Sequence, residues 1–389
     1  MSTVEKGKIE NRHLKPNIKE NITRFAMIIE LVGVFILFQI LTDGIFLSSL
    51  NLSNLLLQGC TISILGIGML WVMVSGGIDL SAGALLGFLA NFAATIETLY
   101  HVGTIETILL TLVLGTLIGC SYGYLIAYRS IPAFIVTLAG QLIFKGLTLW
   151  VGGGMSRGPV SQKFSLLGRG YLTPAASVAV AIIGLLIFVG LTIKGRCSDQ
   201  QYGLPVLNIK LEVLKLAAVI GVVAILMLTL LNYKGIAWAV LLLVVMAAIF
   251  TFLSNDTTLG RSIYALGGNR DAARLSGINI ARTELKVYAF MGFITALASV
   301  VFLGRVGQAT AQVGNGFEFD AITGCIVGGT STLGGAGTVV GAIIGTMLMA
   351  SLDNGMSLMN LDSTIQYIVK GAVLLLAVSI DVSSKKKSA

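Results

Sequence analysis

Charge is what this sequence has least of: Asp, Glu, Lys and Arg together make up 11% of its 389 residues, against roughly a quarter in soluble domains. Histidine is nearly missing, with only His13 and His101, so no helix can present a two-histidine zinc site. The cysteines Cys60, Cys120, Cys197 and Cys325 stand apart with no metal-ligand spacing; they read as structural thiols, and no metal site is expected. No G-x-x-x-x-G-K-[ST] run occurs, which removes a phosphate-cradling loop, and neither a TVGYG-like filter nor an arginine-rich span points to a channel or voltage sensor. Glu318 and Asp320 are the one close carboxylate pair considered for catalysis, and at i, i+2 they diverge on a helix. No catalytic residue is assigned. Proline is scarce at five residues, which leaves glycine as the main helix breaker.

What fills the chain instead is apolar: hydrophobic residues make up 55%. Runs of near-spanning length recur throughout, which predicts an all-α polytopic membrane protein with about ten to twelve transmembrane helices. The estimated spans are Phe25–Thr42, Leu52–Ser75, Leu80–Leu99, Ile105–Tyr128, Pro132–Val151, Pro174–Ile193, Glu212–Leu231, Ile236–Leu253, Val287–Gly304, a short Phe319–Thr332, Ala336–Leu352 and Thr364–Ile380. Glycine is abundant at 47 residues, as expected where helices approach closely or unwind inside a bundle.

The formal charge of +8 does not point to nucleic acid, because the bases cluster between spans and at the ends, where they orient a protein in the bilayer. Lys6, Lys8, Arg12, Lys15, Lys19 and Arg24 precede the first span, and Lys385, Lys386 and Lys387 follow the last. An even number of passes then puts both termini in the cytoplasm, together with the basic segments Lys194–Lys210 and Thr258–Lys286. Gly152–Thr173 opposes this phase, since it falls outside yet carries Arg157, Lys163 and Arg169.

Thr258–Gly277 (TLGRSIYALGGNRDAARLSG) is a polar insert between two apolar runs. Gly267 and Gly268 break the chain, Asn269 can cap the free N–H groups, Arg270 to Ser276 form about two turns, and Gly277 supplies a left-handed stop. So short a helix is marginal alone and is expected to lean on something else. Docking to a motor subunit through Gly268, Asn269, Arg270, Ala273, Arg274 and Gly277 is one reading; a plain connector is the other.

Two glycine-rich stretches interrupt apolar segments: Ser75–Gly83 (SGGIDLSAG) and Gly328–Gly337 (GGTSTLGGAG). Unwound backbone of this kind marks a substrate path when it lies inside a bundle, with Gly76, Gly77, Asp79, Ser81, Gly328, Gly329 and Thr330 as path candidates. The alternative is a tight turn between spans. In either geometry Asp79 is expected to cap the helix that follows and orient backbone rather than carry protons. Arg305, Glu318 and Asp320 bracket a polar segment, GQATAQVGNG, expected to face outside as a loop, gate or interfacial ion pair.

Three stretches in order then carry a resemblance: SGGIDLSAGALLG at Ser75–Gly87, LGRSIYALGGNRDAARLSGIN at Leu259–Asn279 and GNGFEFDAITGCIVGGTSTLGGAGTVVGAIIG at Gly314–Gly345. Together they resemble the permeases of ATP-driven (ABC-type) monosaccharide importers, the ribose/galactose/arabinose/xylose group, over about Asn51 to Val382. A longer middle, Gly152–Leu253, looks most like the xylose-type or multiple-sugar permeases, with an extra pair of spans. The resemblance implies a permease domain over 25–382, a cytoplasmic tail at 1–24, a coupling loop at 254–286 and a basic tail at 383–389. It implies a permease homodimer in the bacterial cytoplasmic membrane, a separate ATP-binding subunit and an extracytoplasmic sugar-binding protein. ATP and Mg would be used by that subunit, with no cofactor bound by this chain. Importers of branched-chain amino acids or polyols share the architecture. An ion-coupled secondary transporter would need a titratable relay, for which the intramembrane candidates are few.

Overall fold

A computed structural model describes residues 18–203, 206 and 208–386. The terminal basic clusters at 1–17 and 387–389, on which the orientation argument partly rests, lie outside the described residues. The described chain is helical: α1 (Ile18–Leu41), α2 (Ser49–Val74), α3 (Ala82–Thr98), α4 (Thr104–Ala127), α5 (Ala133–Gly152), α6 (Gln162–Arg169), α7 (Pro174–Gln201), α8 (Ile209–Leu231), α9 (Trp238–Asp256), α10 (Thr258–Gly268), α11 (Arg270–Leu275), α12 (Ile280–Val306), α13 (Phe317–Val327), α14 (Val339–Leu358) and α15 (Ser363–Lys386). Among the described residues, nine helices are long and apolar enough to cross a membrane, and Ile29–Leu41 and Ala82–Thr98 are shorter apolar helices. This is a multi-pass membrane protein.

One predicted span does not hold as such. Where Phe319–Thr332 was expected to cross, α13 has 11 residues, about 16 Å at 1.5 Å per residue, roughly half a hydrocarbon core. The rest of that crossing is irregular chain. Gly307–Gly316, expected as an external loop, runs antiparallel along α3: the Asn91 amide donates to the Thr310 carbonyl (3.0 Å), and the Val313 and Gly314 carbonyls lie where side chains at Gly87 and Gly83 would stand. Gly83, Gly87 and Asn91 recur at i, i+4, i+8 and so share one face of α3. The loop bends at Gly307, Gly314 and Gly316, all at positive φ.

The core is built on α2, α3, α12 and α14, where large apolar side chains such as Leu65, Trp71, Leu86 and Ile294 pack among glycines. Gly324 of α13 and Gly328 at its C-cap sit against Thr346 and Gly341 of α14, and Gly345 against the Gly324 carbonyl, so the two helices touch through backbone. Gly115 and Gly119 of α4 meet Gly292 of α12 in the same way. Close approach of this kind is how helices pack where lipid offers no hydrophobic drive. At the end away from α10 and α11, Asn51 and Asn354 exchange two amide hydrogen bonds (2.8 and 3.0 Å) and tie α2 to α14. The predicted loop Gly152–Thr173, whose bases opposed the charge bias, is ordered: it carries α6 and pairs with the Gly307 segment through Arg157 N to Ala309 O (2.8 Å) and Ala309 N to Arg157 O (2.9 Å). The extra middle pair, α7 and α8, stands at the periphery with 6% of each apolar stretch buried.

Candidate functional site

The first glycine-rich stretch folds into the bundle. After α2 ends at Val74, Gly76 turns at φ +89° and the Ile78 carbonyl accepts from Thr137 Oγ1, one turn inside α5 (3.3 Å). Asp79 is 1% exposed. Its Oδ1 accepts from Ser81 N (2.8 Å) and Ser81 Oγ (2.7 Å). The expectation that Asp79 caps α3 holds in part: the N-cap residue is Ser81, itself without a side-chain cap bond, while the Asp79 carboxylate accepts from the backbone of Ser81 and of Ala82, the first residue of α3, and so closes the turn that starts the helix. The backbone-orienting role expected of Asp79 therefore acts on the turn.

A second carboxylate arrives from the far side. Gly314 delivers the chain to α13, and Glu318 in its first turn is 2% exposed. Glu318 Oε1 accepts from Gln141 Nε2 of α5 (2.8 Å), while Oε2 lies where a side chain at Gly83 would be and has no hydrogen-bond partner. Two phenols complete the cluster. Tyr122 of α4 points its hydroxyl at the bare Cα of Gly140, and Tyr288 of α12 points its hydroxyl at that of Gly77. The Tyr288 oxygen is buried without a partner, and the Tyr122 oxygen is buried beside Ser81. The result is a knot of two carboxylates, one carboxamide and two phenols with unused hydrogen-bonding capacity. Buried polar groups without partners cost free energy unless something polar visits them.

A cavity of about 250 Å³ reaches the edge of this knot at Tyr288; Gly76, Gly77, Arg270 and Glu284 are also among its walls, while the two carboxylates lie buried behind it. Arg270 and Glu284 pair across its mouth, with Nη2 to Oε2 at 3.1 Å. Of the path residues expected from sequence, Gly76 and Gly77 line this cavity, and Asp79 and Ser81 lie buried in the knot beside it. Gly328, Gly329 and Thr330 do neither: Gly328 packs on Gly341, Gly329 turns at φ +81°, and Thr330 is buried beside Gly337. Tyr122, Gln141 and Tyr288 escaped the sequence reading. The signal was present, since a tyrosine inside an apolar span needs a use for its hydroxyl.

The second glycine-rich stretch has a different task. Gly335 N donates to the Val74 carbonyl (2.8 Å), and a side chain at Gly267 would overlap that same carbonyl. Gly335 also lies on Gly268, and Tyr264 of α10 donates to the Gly337 carbonyl (2.8 Å); burial pushes the Tyr264 phenol up, which keeps that donor protonated. The end of α2, the junction of α10 and α11, and the link between α13 and α14 thus meet as bare backbone.

The insert matches the sequence expectation in part. Asn269 caps α11 by accepting from Ala272 N (2.9 Å), and Gly277 stops it at φ +82°. A preceding helix, α10, was not foreseen. Ala273, expected to face a partner, is buried against its own bundle (3% exposed), whereas Leu275 is 89% exposed. Arg274 remains exposed; Arg270 is engaged by Glu284. The expected grouping of Arg305 with Glu318 and Asp320 is also corrected. Asp320 pairs with Lys370 of α15 (2.9 Å), which also holds Asp353 of α14 (2.7 Å), and Arg305 forms no ion pair with either expected partner among the described residues.

Spanning helices around a buried polar cluster, with a capped insert at one end, are the architecture of a membrane permease. Over residues 51–378 the chain matches the family described as "branched-chain amino acid transport system / permease component", and it belongs to that family. It is 42% identical over 370 residues to the xylose transport system permease protein of Escherichia coli (strain K12), covering 95% of this chain and 94% of that one. The ribose import permease protein of the same organism is 32% identical over 331 residues, 85% of each chain. The galactose/methyl galactoside import permease protein of Haemophilus influenzae is 28% identical over 98% of each. No solved structure matches.

Proposed function

We propose that this chain is the membrane permease subunit of an ATP-driven importer, and that it moves a monosaccharide, xylose or a related pentose or hexose, across the bacterial cytoplasmic membrane. The observation that carries this reading is the nearly end-to-end match to a xylose transport permease. The polar knot supports it. Carboxylate and carboxamide oxygens accept from sugar hydroxyls, phenols donate to them, and none of these groups requires a charged ligand. A branched-chain amino acid, which the family description would also allow, brings a carboxylate that needs a cation. Arg270 at the mouth is already taken by Glu284, and Lys145 acts on Glu318 from an exposed position.

In this reading the insert and both termini face the cytoplasm, a separate ATP-binding subunit docks there, and ATP with Mg is used by that subunit; this chain performs no catalysis. The docking face comprises Arg274 and Leu275, with Leu275 as the apolar knob. Displacement of α10 and α11 passes by backbone contact to Val74 and Gly335. Val74 leads directly into the turn that carries Asp79, and Gly335 into the link that carries α13 and Glu318. The two carboxylates of the knot thereby sit on elements that the insert can move apart, a shear of packed parts about a central site. An extracytoplasmic sugar-binding protein delivers the substrate at the opposite end, and two permease chains form the pathway. The test is uptake of labelled xylose, ribose, galactose and leucine by cells with the gene deleted and restored. Gene-dependent xylose or other monosaccharide uptake is expected; gene-dependent leucine uptake alone overturns the substrate class.

A further inference from the structure

At the end away from the insert, a second cavity of about 310 Å³ lies between α2, the end of α6, the link from α8 to α9 and the last turn of α12. Its walls carry three cations, Arg169, Lys234 and Arg305, together with Asn54, Gln58 and Tyr171, and no aspartate or glutamate lines it. The ion pairs of the described residues lie elsewhere. Arg305 is half-buried, and its Nε has no hydrogen-bond partner; its guanidinium carbon lies 5.6 Å from the Phe302 ring centroid. The Lys234 ammonium lies 5.5 Å from the centroid of Tyr171 and 5.1 Å from that of Tyr233. Ser53 anchors Tyr171 through a 3.0 Å hydroxyl contact. Arg169, whose guanidinium reaches Ser165 Oγ at 3.5 Å, and Lys234 are exposed at the rim; the half-buried charge of Arg305, without a counter-ion, is costly in a low-dielectric setting and is held in place by packing rather than by a carboxylate.

The geometry points to a binding site for a phosphate anion, the headgroup phosphate of an anionic phospholipid. Three cations and two carboxamides offer donors on several sides, which suits the several acceptor oxygens of a phosphate. The lipid source follows from the neighbours. One wall is the link out of α8, and α7 and α8 are apolar, nearly unburied helices that leave lipid against the mouth. The cavity lies where α8, α9 and α12 begin or end, the depth at which tyrosine, lysine and arginine meet headgroups. Bound there, the lipid would fill the gap between the peripheral pair and the core.

The test uses the full-length purified protein in neutral detergent, titrated with short-chain phosphatidylglycerol, short-chain phosphatidylcholine or inorganic phosphate, with the shift in thermal unfolding as readout. Phosphatidylglycerol should stabilise the wild type at lower concentration than phosphatidylcholine. The Arg169→Gln, Arg305→Gln double variant should raise the half-saturating concentration by about tenfold or more, and Arg305→Lys should retain most of the response. If the double variant does not fold, Lys234→Gln, at an exposed position, should itself weaken the response. An equal phosphatidylglycerol response in the wild type and the variants overturns the site. A cation-dependent shift produced equally by inorganic phosphate overturns the lipid assignment.

Discussion

The peripheral pair α7–α8 and the core helix α2 are both apolar enough to span a membrane, yet they differ in the opposite sense to a soluble protein. The pair is the more apolar and has 6% of each apolar stretch buried, while α2 has 89% of its own buried. Apolar character alone does not decide burial in this fold: α2 buries Ser53, Thr61 and Ser63 beside Leu65, Met69 and Trp71, while α7 exposes Ile182, Ile183, Leu186 and Leu191. Lipid already satisfies an aliphatic side chain, so helices associate where backbones can touch and hydroxyls can be satisfied. Function follows the same division, with the polar knot in the buried part and the apolar pair outside it.

That contrast can be attacked from its strongest side first. Gly314→Val in the core meets the Gly83 carbonyl and a φ of +81° that a β-branched residue resists; it should cost about 3 kcal/mol or more, read as loss of folded protein by size-exclusion chromatography. Leu275→Asp on the insert should leave the permease folded but weaken retention of the ATP-binding subunit by about tenfold or more in pull-down. Tyr288→Phe keeps the ring and removes the unpartnered hydroxyl, so uptake should fall by about three- to tenfold with normal protein level. At the periphery, Gly184→Ala has open space around it and should shift stability by no more than about 1 kcal/mol, in the stabilising direction. A large loss from that last change would break the comparison.

The spans and the insert were legible because each has a local signature. Long apolar runs announce helices, and Asn269 and Gly277 announce the ends of α11 without reference to anything distant. The half-crossing was not legible, because GQATAQVGNG is as polar as any external loop. What admits it to the interior is the bare face of α3 at Gly83 and Gly87, far away in sequence, with Asn91 to bind its backbone. Glu318 and Asp320 were placed outside for the same reason, and Lys370 could be given partners only once α13, α14 and α15 were side by side. In sequence Ala273 reads as a surface residue, because a small side chain fits a docking face and a tight internal contact equally well.

Glu318 is the residue on which the transport account depends most, since it links the irregular half-crossing to Gln141 and leaves Oε2 without a protein partner. Replacing it as Glu318→Gln keeps its size and a hydrogen bond to Gln141 while removing the charge. The deciding measurement is labelled-xylose uptake into proteoliposomes containing the assembled importer and its sugar-binding protein. The account predicts uptake reduced by about tenfold or more, with the ATP-binding subunit still bound. Wild-type uptake by a folded, fully assembled variant would contradict it and leave the polar knot as a structural feature alone.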